Sequence, residues 1–270
     1  MKPTKEQAAE IRAEIGGRKV IASVSGGKDS AALSLYLKEC EIEHDRVFAD
    51  TGWEAWQTYA YMRDVLIPRL GPIDLVKRPG GMAELVREKA MFPGGTRRFC
   101  TDYLKMRPII EYMAAQPEGT ISAVGIRAAE SVKRAAMPMW DGYTSKVVQF
   151  DIWRPLLMWS EQDVIDIHHR HSLPPNPLYI HGAERVGCWP CIHARKSEVR
   201  LIADLDPARI DLVEALEDEA TEIARQRADE KGEELKTERT FFIGKGHKRP
   251  KIRDVVEWSR TSRAACNSSF

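Results

Sequence analysis

No run in this chain approaches the roughly 18 consecutive apolar residues that a membrane-spanning helix needs, so nothing in the pattern marks it as bilayer-embedded. The opening Met1-Lys2-Pro3-Thr4 leads into a charged helical pattern without the apolar stretch of a secretion signal, and the expectation is a cytoplasmic protein. Neither sign of charge dominates: 41 Lys and Arg face 40 Asp and Glu, a formal net charge of +1. Global electrostatics therefore announce no polyanionic partner, which leaves only local basic patches to find one. There are five cysteines, an odd number in a chain without an export signal, which argues against a disulfide framework and towards metal ligation or redox chemistry for some of them. No internal repeat is present.

What remains is a globular composition. Hydrophobic residues make up 43% and charged residues 30% of 270, enough to bury one large domain or one domain with a smaller appendage. The run KVIASVS at 19–25 is apolar and β-branched, and the following AALSLYLKEC has helical spacing, so the pair reads as strand, loop and helix. HDRVFAD at 44–50 predicts a second strand, and an aromatic-rich helix follows from Glu54 to Leu70, stopping at Gly71-Pro72. IDLVKR at 73–78 and the helix MAELVREKA form a third unit. Arg97 to Ala115 reads as a helix with Cys100 in its first turn, despite Pro108. Strands are predicted at 121–127 and 147–153, and a capped helix at 160–171. This alternation predicts an α/β fold with a doubly wound, mostly parallel sheet. A composition change after Pro174-Pro175 leads to helices near 197–204, 207–231 and 252–260. The expected division is 1–172 as a nucleotide-binding domain and 173–270 as a cysteine-containing, mainly helical C-terminal region packed on it.

The densest chemistry lies in Ser25-Gly26-Gly27-Lys28-Asp29-Ser30. Two glycines allow a tight turn and close approach to an anion, and the following helix offers free N–H groups and the positive end of its dipole. Ser25, Lys28 and Ser30 add donors and a cation. Asp29 makes sense beside phosphates if it orients the loop or helps hold a metal ion. The GxxxxGK[ST] spacing is absent, so this is not an ordinary P-loop. The competing reading is a Gly-Gly turn with a Ser or Asp helix cap.

The loop resembles the PP-loop of the ATP pyrophosphatase family, which cleaves ATP between its α and β phosphates and leaves an adenylated substrate. Three features narrow the resemblance to its phosphoadenosine phosphosulfate reductase branch: Asp50-Thr51-Gly52 after the second strand, Gly125-Ile126-Arg127 with Glu130 and Arg134, and Trp153-Arg154-Pro155-Leu156 before Trp159-Ser160-Glu161-Gln162-Asp163-Val164. The resemblance covers about residues 15 to 195. It implies an adenine nucleotide alpha hydrolase-like fold, with Asp50, Gly52 and Gly125 near the nucleotide. Lys28, Asp29 and Arg127 become the catalytic candidates, and Arg127 and Arg134 the candidates for oxyanion binding through bidentate guanidinium geometry.

Cys188-Trp189-Pro190-Cys191 is the chain's one CxxC, and a redox dithiol, zinc or an iron–sulfur cluster all use such a pair. Cys100 is a third thiol, expected to be acidified by a helix N-terminus and nearby arginines. Cluster-binding sulfonucleotide reductases hold [4Fe–4S] with adjacent cysteines and a later CxxC. Here Phe99 replaces the first of the adjacent pair, leaving Cys100, Cys188 and Cys191, as in tRNA-thiolating PP-loop enzymes. Zinc on these three with His193 is the structural alternative, and three idle thiols the plainest. Cys40 falls in a helical apolar stripe and is expected in the core. Cys266 does not match the Glu-Cys-Gly-x-His motif of phosphosulfate reductases.

His168, His169 and His171 end a helix, where dipole stabilisation and solvation account for them. Trp53, Trp56, Tyr59 and Tyr61 have the spacing of a partly buried helical face. The stretch from Lys245 to Lys251 is a basic loop that fits nucleic-acid phosphates or plain solvent equally. The resulting expectation is an ATP- and Mg²⁺-using enzyme that adenylates an acceptor for sulfur insertion. The pattern resembles the PP-loop components of bacterial DNA phosphorothioation systems. That resemblance implies a DNA or RNA acceptor and a cysteine desulfurase or other sulfur-donor protein. The alternatives are a sulfonucleotide reductase, an ATP sulfurylase-like adenylyltransferase, and a non-catalytic ATP-binding component.

Overall fold

A computed structural model describes residues 2–244 and 248–261. In chain order the elements are α1 (Lys5–Ile15), β1 (Val20–Ser23), α2 (Lys28–Glu39), β2 (Asp45–Asp50) and α3 (Trp56–Tyr61), which continues through a π-helical turn at Met62–Leu66 into α4 (Ile67–Leu70). Then come β3 (Asp74–Lys77), α5 (Gly81–Lys89) and α6 (Phe99–Thr101), which runs through a second π-helical turn at Asp102–Met106 into α7 (Arg107–Ala114). β4 (Ile121–Val124), a 3₁₀ turn at Ala128–Glu130, α8 (Val132–Ala135), β5 (Trp140–Thr144) and β6 (Gln149–Trp153) complete the sheet region. The remainder is α9 (Glu161–Arg170), α10 (Pro177–Ile180), α11 (Lys196–Leu205), α12 (Pro207–Asp229) and α13 (Ile252–Arg260).

The strands form one six-stranded sheet among the described residues, in the order β3-β2-β1-β4-β6-β5. All neighbours are parallel except β5, which runs antiparallel to β6 at the edge. Strand alternation sorts the faces. Val20, Ala22 and Ala123 join α1, α2 and α9 in one core, while Ile21, Val47, Met113 and Phe150 join the α7 face in another. Strand order reverses between β1 and β4, so the crevice beyond their carboxyl ends is the point where a doubly wound sheet offers space for a ligand.

A third core lies off this end of the sheet. Trp53, Leu85, Val86, Phe92 and Leu104 pack there with Leu178, Val199, Ile202, Val213, Leu216, Phe241 and Val255. The C-terminal helices thus bury their apolar faces against the loop after β2 and against α5. Glu217 is fully buried within this core and accepts the main-chain N–H groups of Phe241 and Ile252 at 2.8 and 3.0 Å. It fastens Phe241 and Ile252 to α12.

Most predicted elements appear within a few residues of their expected ends. Three do not come from the sequence reading: edge strand β5 and the one-turn helices α8 and α10. The predicted helix across Pro108 is continuous because its proline follows a π-helical turn, where the ordinary i−4 bond is already displaced. Cys40 is fully buried as expected. Trp53 and Tyr61 are buried too, but Trp56 is 64% exposed, so the aromatic face is not uniformly core. Histidines at the end of α9 are not simply solvated. His168 is buried, with Nε2 2.9 Å from the Lys28 carbonyl, and His171 joins Arg170 on Glu39.

Candidate functional site

The loop between β1 and α2 lies at the strand-order reversal. Val24 still pairs with β2 through its N–H to the Val47 carbonyl at 2.9 Å, after which the chain leaves the sheet. Ser30 then ties the turn together: its hydroxyl donates to the Gly27 carbonyl at 3.0 Å and accepts the Ser25 N–H at 3.0 Å. Gly26 has φ +74°, and a β-carbon there would lie 2.6 Å from Thr58 Cγ2. Only glycine satisfies both demands. Gly27 caps α2 without any side-chain bond, which leaves the helix N–H groups to other partners.

Asp29 faces across the crevice to Arg127, whose Nε donates to its carboxylate in a pair that is nearly buried on the arginine side, 7% exposed against 20%. This contact depends on Gly125. A β-carbon there would stand 2.8 Å from the Asp29 carbonyl oxygen and 3.3 Å from Ser30 Cα, both backbone atoms. Glu130 accepts the Arg127 N–H at 2.9 Å and pairs with Arg134 one helical turn on. The Gly125, Arg127, Glu130 and Arg134 segment is therefore one bonded unit. Arg127 reaches the loop, whereas Arg134 is engaged with Glu130 and part-exposed. Lys28 is not the exposed lysine expected of a free loop: its side chain is 15% exposed, 3.1 Å from Glu161 and stacked 4.8 Å over the Tyr179 ring.

The segment after β2 builds the adjoining wall. Asp50 accepts the Gly52 N–H at 2.9 Å and the Tyr59 hydroxyl at 2.6 Å. Gly52 has φ +65°, and the Thr51 carbonyl accepts the Met82 N–H at 2.9 Å, bringing the start of α5 against this turn. Glu54, absent from the sequence-based candidates, is 3% exposed and accepts from the Thr51 hydroxyl at 2.7 Å and the Thr51 and Trp53 N–H groups. The Thr-x-x-Glu spacing is its sequence signal.

The CxxC segment docks on that same wall through its main chain. Glu54 and Cys188 form an antiparallel bridge, Trp189 donates its N–H to the Trp53 carbonyl at 2.7 Å, and the Trp53 indole N–H donates to the Pro190 carbonyl at 3.0 Å. Lys105, from the π-helical turn, lies within electrostatic reach of Cys188, Glu54, Cys191 and Cys100 together. Burial works against its ammonium, yet these neighbours hold its pKa above the ordinary lysine value. Burial pushes the Cys100 thiol up, against the acidification that its helix position and nearby arginines predict, and the same holds for Cys188. Three thiols sharing one neighbourhood fit a soft metal or an iron–sulfur cluster in donor type. As folded, no three His, Cys, Asp or Glu side chains among the described residues lie close enough to hold an ion.

Several site residues were missed because they come from short segments far away in sequence. Asn176, fully buried, donates to the Gly26 carbonyl at 3.1 Å and caps α10. Tyr179 and Glu161 engage Lys28, and His168 engages its carbonyl. Arg154 of the Trp-Arg-Pro-Leu signature is buried and bonds the Pro138 carbonyl and Asp141, so it anchors the edge strand rather than the crevice. Cys266 and Lys245 to His247 lie outside the described residues. Lys251, from the other end of the basic loop, pairs with Asp218. No helix among the described residues is long and apolar enough to cross a membrane.

Comparison with known proteins agrees with this geometry. Residues 19–194 match the phosphoadenosine phosphosulfate reductase domain. An uncharacterized 37.8 kDa protein of Escherichia phage 186 is 35% identical, with 66% of this chain and 68% of that protein covered. The adenosine 5'-phosphosulfate reductase of Mesorhizobium japonicum is 27% identical over 63% of this chain and 65% of its own length. The crystal structure of phosphoadenylyl-sulfate reductase from Candida auris, a phosphate complex, superposes with a TM-score of 0.50 at 15% identity, covering 70% of this chain and 97% of that one. With the family match spanning well over half the chain, the protein belongs to the phosphoadenosine phosphosulfate reductase domain family.

Proposed function

We propose that this protein is a PP-loop enzyme that adenylates an acceptor with ATP and Mg²⁺ and prepares it for sulfur insertion, with a nucleic acid as acceptor. The observation that carries this reading is the meeting of two segments at one end of the sheet: the Ser25 to Ser30 loop with Lys28, and the cysteine segment bonded to the Asp50 to Glu54 wall. In the reaction an acceptor oxygen attacks the α-phosphorus of ATP and pyrophosphate leaves. A sulfur nucleophile then displaces AMP. Lys28, the α2 N–H groups and Arg127 position and neutralise phosphate oxygens, which is where a phosphoryl-transfer site gains its rate. Asp29 orients Arg127, and Ser25, Gly26, Gly27, Ser30, Asp50, Gly52 and Gly125 shape the cradle, with Arg134 supporting it through Glu130. Cys100, Cys188 and Cys191 are the residues that would hold a [4Fe–4S] cluster, or zinc in the structural alternative. When bound, the cluster supplies an iron open to exogenous sulfide.

A polyanionic acceptor is supported by a groove of about 450 Å³ in which Lys89, Arg227, Lys231, Lys236 and Arg239 outnumber Glu233 and Glu234. Helix α5 connects the places: it starts at the Thr51-Gly52 turn and ends at Lys89, nine residues or about 13 Å away.

The test is competition binding of ATP, adenylyl sulfate and phosphoadenylyl sulfate to anaerobic protein with Mg²⁺. Preference for ATP, followed by pyrophosphate release with DNA or RNA, is the expected result. The second reading, thiol-driven reduction of a sulfonucleotide, takes its only support from the likeness to adenosine 5'-phosphosulfate reductases. Preference for either sulfonucleotide would establish that reading instead.

A further inference from the structure

The Tyr179 hydroxyl occupies an unusual position. It accepts the Lys28 N–H, one of the donors at the start of α2, at 3.2 Å. Its ring lies 4.8 Å from the Lys28 ammonium, which Glu161 also holds at 3.1 Å. A β-carbon on Gly27 would stand 3.5 Å from the hydroxyl and 3.8 Å from the Val186 carbonyl, so loop and segment are in van der Waals contact. An oxygen that receives a main-chain N–H at a helix N-terminus, beside an ammonium, occupies the kind of position a phosphate oxygen takes. Val186 is two residues before Cys188, and the segment is fixed at its other end by Asn176 on the Gly26 carbonyl.

We propose that Tyr179 is a positioning residue of the nucleotide site, whose hydroxyl takes the place of a phosphate oxygen at the start of α2 and is displaced when phosphate binds. This rests on the nucleotide reading above. Displacement passes the event to the cysteine segment, because Tyr179 and the Val186 carbonyl, two residues before Cys188, both pack against the loop at Gly27. Glu161 plays the corresponding part for the Lys28 side chain.

The test uses full-length protein and two probes, pyrophosphate and Mg-ATP, titrated calorimetrically. Tyr179→Phe removes the competing oxygen and keeps the ring, so pyrophosphate should bind about 5- to 10-fold tighter, the worth of one hydrogen bond, while the unliganded variant melts at lower temperature. Glu161→Gln should tighten binding independently. In wild-type protein, pyrophosphate should speed amide exchange around Val186, and in Tyr179→Phe it should not. Unchanged or weaker binding by Tyr179→Phe, with wild-type protein still binding ATP, overturns the stand-in role alone. Unaltered exchange at Val186 in wild-type protein on binding overturns the coupling. No binding of either probe by either protein overturns the nucleotide reading itself.

Discussion

The Asp29 and Arg127 pair gives a sharp test of how the loop works, because its two members should fail in opposite directions. Asp29→Asn leaves a guanidinium that is only 7% exposed facing a neutral amide. Breaking a fully buried pair costs about 3–5 kcal/mol, and the partial exposure of Asp29 lowers the expected loss of stability to about 2 kcal/mol. Yet the freed Arg127 charge then faces the phosphates uncompensated, so affinity for Mg-ATP should hold or rise. Arg127→Ala destabilises by a similar amount but leaves a carboxylate beside the phosphate cradle. A unit charge about 5 Å from a phosphate at an effective dielectric of about 20 is worth about 3 kcal/mol, a loss on the order of 100-fold in affinity. Urea unfolding and calorimetric titration of both variants and the double variant separate these terms. If Asp29→Asn lost ATP as severely as Arg127→Ala, Asp29 would be a direct metal or nucleotide ligand and the orienting role would be refuted.

Three further outcomes follow from other contacts. Gly125→Ala pushes a methyl group into the Asp29 and Ser30 backbone, so it should cost about 1–3 kcal/mol in urea unfolding and weaken ATP binding through Arg127. A stable variant with unchanged ATP affinity would show that β4 does not position the loop. Burial pushes the Glu217 carboxyl up to about 7, against the two N–H groups that oppose the shift. Because the folded state then holds a proton that the unfolded chain releases near its ordinary value of 4.5, this group's stabilisation is complete below that pH and falls away up to about pH 7. The loss is about 3 kcal/mol. A wild-type-minus-Glu217→Gln stability profile that is flat between those values would contradict this. Reversing two exposed groove cations, Lys231→Glu with Lys236→Glu, should weaken DNA or RNA binding at least tenfold and flatten its salt dependence while leaving ATP affinity unchanged; equal nucleic-acid affinity would remove the groove from the acceptor path.

The fold was largely legible because its signals are local. The β-branched runs at 20–23, 45–50 and 121–124, the glycines at turns and the Ser160/Asp163 cap of α9 each specify their own few residues. Edge strand β5 was not legible, since Trp140-Asp141-Gly142-Tyr143-Thr144 owes its conformation to pairing with β6 and to Arg154 reaching Asp141, and edge strands need little apolar alternation. The site divides in the same way. The glycines and charges of the phosphate loop carry their chemistry in sequence, and the reversal of strand order between β1 and β4 places them at the crevice. Tyr179, Asn176 and His168 carry no such mark, because each bonds main-chain atoms of the loop, and a main-chain partner leaves no residue type to read. Lys28 illustrates the consequence. From sequence it is a free cation on a loop, whereas in the fold its ammonium, N–H and carbonyl are each engaged, by Glu161, Tyr179 and His168. On the proposed function, a phosphate arriving at Lys28 would exchange these existing partners, and its affinity there would be a difference between two bonded states.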